Sequence, residues 1–151
     1  MATIRTVFVV AAPTSVVWDV FKDIGAVHTR LAPGFVTDTT VDGDMRQVTF
    51  ANGISVTERI VSVDDELHRL AYRIESGAAS HHSASFEVMA DGNNTRVVWT
   101  TDVLPDSAAE RFKQMMNAGA EIMARALAQA KKCRPTAQSS SELGCASHQP
   151  C

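Results

Sequence analysis

The 151-residue chain is 45% hydrophobic and 21% charged, and its formal net charge is -3 at neutral pH. A chain of that length suits one domain with one core, burying roughly two-thirds of its unfolded surface. Its slight negative charge offers no general attraction to a polyanion, and no apolar run approaches the ~20 residues of a membrane helix. Neither nucleic acid nor membrane insertion is therefore expected. Met1 to Thr6 precede a short β-branched stretch, with no long apolar region and no small-residue cleavage site, which leads us to expect a cytoplasmic protein. Cys133, Cys145 and Cys151 all fall in the last part of the chain, so none can staple its body and stability must come from packing.

Thr3 to Ala11, rich in Val, Ile, Thr and Phe, predicts a first strand, and Pro13 stops it. Proline suits the first position of a helix, and Val16, Val17, Val20, Phe21 and Ile24 recur at helical spacing behind it. Gly25 interrupts that helix. Val27, His28 and Leu31 predict one or two more turns before Pro33-Gly34 ends them. From Phe35 to Leu104 the pattern changes to strands separated by Asp42-Gly43, Asn52-Gly53, Asp64-Asp65-Glu66, Ser76-Gly77 and Asp91-Gly92-Asn93-Asn94. Six strands joined by short turns make an antiparallel meander, because a parallel arrangement would need helical crossovers.

Ser107-Ala108-Ala109-Glu110 has capping-box spacing and opens a helix of about residues 107 to 131. Phe112, Met115, Met116, Gly119, Ile122, Met123, Ala126, Leu127 and Ala130 form its apolar stripe, with Lys131-Lys132 at its negative end. Residues 134–151 turn to Ser, Ala, Gln, Gly and Pro, the composition of a disordered tail. The domain is expected to span residues 1–133.

Strand, two short helices, six-strand meander and long helix, in that order, resemble the START-like (SRPBCC) superfamily with its helix-grip fold. The resemblance covers about residues 3 to 132. It is carried by Ala11-Ala12-Pro13-Thr14-Ser15-Val16-Val17-Trp18-Asp19-Val20, by Asp91-Gly92 through Thr95-Arg96-Val97-Val98-Trp99-Thr100, and by the terminal helix. It looks most like the polyketide cyclase/dehydrase branch. The resemblance implies an α+β domain with a seven-strand antiparallel sheet wrapped around the C-terminal helix. It also implies an internal cavity for a lipid, polyketide or aromatic metabolite, in a carrier or sensor that is a monomer or homodimer. A cofactor-independent cyclase or dehydratase in the same cavity is an alternative, and a co-chaperone-like interaction module is another.

Alternation assigns the concave face. Val97, Trp99, Thr101 and Val103 are more apolar than their neighbours on the last strand; His82, Ala84, Phe86 and Val88 face inward on the strand before it, and Leu70, Tyr72 and Ile74 on the one before that. A three-residue loop at Asn52-Gly53 pairs Phe50 with Ile54, Val48 with Val56, and Arg46 with Glu58, whereas a two-residue loop wastes the apolar matches. Extended around Asp65 and Gly77, that register sets Glu58 across from Tyr72, and Tyr72 across from His82. Arg46, Glu58, Tyr72 and His82 then form one row. An inward Arg and Glu each cost several kcal/mol to desolvate unless paired.

Glu58, Tyr72 and His82 are the candidate acid and base groups, with Arg46 placed to hold an oxyanion. An activity that depends on His82 is expected to titrate near the reference value of about 6.5. Val48, Val56, Phe86, Trp99, Thr101, Met115, Gly119 and Met123 are the candidate ligand-contacting residues, Gly119 leaving an adaptable volume beside flexible thioethers. Trp18 carries no functional weight. His81 and His82 point to opposite faces of a strand and cannot share an ion, and Cys145, His148 and Cys151 lack zinc-module spacing. No Gly-x-Ser-x-Gly elbow supports nucleophilic catalysis, and with neither a phosphate-binding glycine loop nor a metal-ligand spacing in the sequence, no metal or cofactor is expected.

Overall fold

A computed structural model describes residues 1–77 and 79–130. Strand β1 (Ala2–Val10) ends before Pro13, whose carbonyl accepts hydrogen bonds from the Val16 and Val17 amides. Pro13 thereby occupies the cap of helix α1 (Thr14–Lys22) rather than its first helical position, in an extended conformation that starts the helix without a side-chain cap. α1 buries Val17, Trp18, Val20 and Phe21. The expected second helix is a single π-helical turn, Val27–Leu31, that buries its two end residues.

The meander comprises β2 (Val36–Asp42), β3 (Met45–Phe50), β4 (Ser55–Asp64), β5 (Arg69–Ile74), β6 (His81–Asp91) and β7 (Asn94–Leu104). All seven strands form one antiparallel sheet in the order β1-β7-β6-β5-β4-β3-β2. β1 thus pairs with β7, and the two edges are β1 and β2. Ala51, Asn52 and Gly53 form the three-residue loop, with Gly53 at φ 84° and the Phe50 amide on the Ile54 carbonyl at 2.8 Å. Arg46 lies opposite Glu58 and Val48 opposite Val56, the register that apolar matching predicts.

The next two registers differ from expectation. Glu58 is opposite Ile74, not Tyr72; Tyr72 is opposite Ile60 and, on its other side, Ala84 rather than His82. The turn after Asp64 runs through His68, which takes the left-handed conformation, φ 47°, without a glycine to announce it. A β-bulge between Ile60 and Ser62 absorbs one residue, so the net shift is two. An even shift moves side chains along the face and leaves them on it.

A 3-10 turn, Asp106–Ala108, leads into helix α2 (Ala109–Ala130). The expected capping box is not made. The Ala108 amide donates instead to the Pro105 carbonyl, and Asp106 pairs with the N-terminal ammonium of Met1. α2 packs chiefly on β1, the π-turn and α1, burying Met116, Gly119, Ala120, Met123 and Leu127. Lys131-Lys132 and the tail with its three cysteines lie outside the described residues.

Candidate functional site

Because α2 leans toward the β1 edge, the concave surface of β3, β4 and β5 is left without a helix directly upon it. The result is a cavity of about 560 Å³ between sheet and helix, within the span of small-molecule sites. Its wall is mostly aliphatic and aromatic. Ten of the twelve candidate residues line it: Arg46, Val48, Val56, Glu58, Tyr72, His82, Phe86, Trp99, Met115 and Met123. Thr101 and Gly119 do not. Thr101 faces inward but is fully buried in the packed core, where its hydroxyl has no partner among the described residues. Gly119 is close-packed instead of spacious: a Cβ there would meet Phe35 Cε1 at 3.3 Å and Trp99 Cζ3 at 3.4 Å. The missing side chain lets two rings approach the helix.

The polar groups are as buried as the apolar wall, with Arg46 and His82 5% exposed and Glu58 and Tyr72 6%. Arg46 donates to Glu58 Oε2 from Nε at 2.8 Å and from Nη2 at 2.6 Å, while Nη1 reaches the Ile24 carbonyl at 3.3 Å. Burial pushes the Glu58 carboxyl above its ordinary range, and the Arg46 charge beside it opposes that shift. Oε1 of Glu58 has no hydrogen-bond partner among the described residues. The Tyr72 hydroxyl accepts from Trp99 Nε1 at 3.2 Å, and the Arg46 guanidinium lies 5.7 Å from the centre of its ring. Burial raises the phenol far above its ordinary value, and the Glu58 charge adds to that.

His82 Nδ1 accepts the Ile74 amide at 3.2 Å, which places the proton of the neutral ring on Nε2. The ring packs against Phe112 and Tyr72. Burial lowers its pKa to about 4, so His82 is uncharged near neutrality and the expected titration near 6.5 does not hold. On the opposite face, His81 contacts Ser83, and Arg59 and Arg73 share Glu75 in an exposed charge network. No three His, Cys, Asp or Glu side chains converge on a metal-sized site among the described residues.

Sequence reasoning missed part of the wall. Phe35 and Phe50 meet edge to face at 5.5 Å where β2 and β3 meet the cavity, and Arg111, Phe112 and Gln114 bring in the first turns of α2. Phe35 directly follows Pro33-Gly34, so no alternation fixed its direction. Trp18 proves to be structural. It is buried, donates from Nε1 to Asp65 at 2.8 Å and stacks on His68, tying α1 to the β4–β5 turn.

Residues 1–132 match the family model described as "Polyketide cyclase / dehydrase and lipid transport". No curated protein matches the sequence. Several solved structures share the fold. A solution structure from Thermobifida fusca is 28% identical, with a TM-score of 0.70 over 85% of this chain and 92% of that one. A START superfamily protein from Mycobacterium smegmatis is 10% identical, with a TM-score of 0.68 over 86% and 97%. Norcoclaurine synthase from Thalictrum flavum is 20% identical, with a TM-score of 0.66 over 85% and 84%.

Proposed function

The chain belongs to the polyketide cyclase / dehydrase and lipid transport family, and we propose that it is a carrier or sensor that encloses one hydrophobic small molecule between its sheet and C-terminal helix. The observation that carries this reading is the partly open cavity of about 560 Å³ with its predominantly apolar wall. A lipid, a polyketide or an aromatic metabolite has the required character. Arg46, Glu58, Tyr72 and His82 serve to orient it, and the aliphatic and aromatic residues around them supply the affinity through burial. The domain works without a metal or organic cofactor, in the cytoplasm, as a monomer or homodimer. No described helix is long and apolar enough to cross a membrane.

Native mass spectrometry of protein purified from its own host, followed by extraction of the bound compound, tests the proposal. A hydrophobic compound at one equivalent is the expected result. Ligand-free protein that also fails to take up the neutral dye Nile red would overturn it.

A second reading, a cofactor-independent cyclase or dehydratase, is favoured by one particular feature. Glu58 combines an unoccupied carboxylate oxygen with a raised pKa, which suits a general base, and the neutral Tyr72 and His82 rings stand by as donors. Turnover of a bound carbonyl compound, lost in Glu58→Gln with its affinity retained, would select that reading.

A further inference from the structure

We propose that the cavity takes its ligand head first, an uncharged group that both donates and accepts hydrogen bonds meeting Glu58, Tyr72 and His82, with any anionic group left outside at Arg111. The inference rests on the cavity reading above and adds the polarity of the ligand and its direction of entry.

It follows from what the buried groups have left to offer. Among the described residues, three charged ones line the cavity: Arg46, Glu58 and Arg111. Every guanidinium nitrogen of Arg46 is engaged, Nε and Nη2 with Glu58 and Nη1 with the Ile24 carbonyl. A ligand carboxylate beside these groups would have to share Arg46 with Glu58, and it would stand next to the Glu58 charge among buried groups, where like charges repel strongly. The unused capacity is of another kind. Glu58 Oε1 can accept, and the Tyr72 hydroxyl proton and His82 Nε2–H can donate, none of the three having a partner among the described residues. One acceptor beside two donors complements an alcohol, a phenol, an enol or a hydroxyketone. Each such bond spares a buried polar group from going unmatched, which is where its selectivity arises.

The rim has the opposite character. Arg111 is exposed on the first turn of α2 and has no charged partner among the described residues; exposed Gln114, Asn52 and Ser76 accompany it. An anionic substituent can stay hydrated there and still be attracted. A fatty acid would therefore sit with its chain inside and its carboxylate out, and the matching alcohol would sit the other way round.

Displacement of Nile red by 1-decanol and by decanoate, two ligands of equal chain length, tests this. In the wild type, decanol should displace the dye at a concentration about tenfold below that of decanoate. Tyr72→Phe should weaken decanol by about tenfold and leave decanoate unchanged. Arg111→Glu should weaken decanoate several-fold and leave decanol unchanged. Glu58→Gln removes the carboxylate charge that competes for Arg46 and repels a ligand anion, and should reverse the preference toward decanoate. If that variant does not fold, Tyr72→Phe and Arg111→Glu decide the matter. Decanoate binding the wild type as tightly as decanol, or decanol indifferent to Tyr72→Phe, overturns the head-first polarity and leaves the cavity reading standing. Failure of Nile red to bind the wild type overturns both.

Discussion

His82 sits where the β5–β6 ladder gives out, and its Nδ1 stands in for the missing backbone acceptor of the Ile74 amide. A proton on that nitrogen would break the bond and place a charge in an apolar wall. Above pH 6.5 the ring is neutral in both folded and unfolded chains; as pH falls toward about 4, the unfolded chain takes up the proton first. Stability should therefore decline across that window by up to about 3 kcal/mol, and level off below it. Urea denaturation at stepped pH checks this, because His82→Gln, which keeps an acceptor and cannot titrate, should lose correspondingly less. A second residue-level expectation concerns Arg46 and Glu58. Either single truncation strands a buried charge and should cost about 3–5 kcal/mol, whereas Arg46→Met with Glu58→Leu should cost far less than the two losses added together. Additive losses in urea melts would show that the two side chains are not coupled.

Elements meet through close approaches, and of the described glycines Gly119 leaves the least room for a Cβ. Alanine is favoured over glycine in a helix by about 1 kcal/mol, yet a methyl group here presses on the rings of Phe35 and Trp99. Trp99 is held in the core by its neighbours, while Phe35 is only partly buried and borders the cavity, so Phe35 is the ring that can yield. Gly119→Ala should leave thermal stability within about 1 kcal/mol of wild type, propensity offsetting strain, but weaken Nile red binding as Phe35 moves inward. Unchanged dye binding would place Phe35 elsewhere. The β4–β5 hairpin illustrates a different coupling. Its turn alone would offset the ladder by an odd number of residues and send Glu58 and Tyr72 to opposite faces; the bulge between Ile60 and Ser62 restores the parity.

At the scale of the molecule, the cavity is the space left when α2 rests on β1 instead of over the middle of the sheet. Val48 lines it from β3, opposite Val56. Val48→Phe should fill part of the space, keeping or raising Tm through added apolar burial while abolishing dye uptake. A fall in Tm would instead mean overpacking of a core with no room. Strand number, the inward face of β5, β6 and β7, and the Arg46–Glu58 pairing were all legible in the sequence, because alternation and a three-residue hairpin loop are local properties of the chain. The straight row from Arg46 to His82 was not. It depended on a left-handed His68 and a bulge that no residue type signals, so Glu58, Tyr72 and His82 share the face but are displaced along it. Nor could the sequence tell which residues would pack and which would face empty space: Gly119 and Thr101 went to the core, Phe35 and Arg111 to the cavity and its rim. A side chain's face is set by its own strand at a period of two. The distance from helix to sheet is set by every contact between them at once, and that distance makes the site.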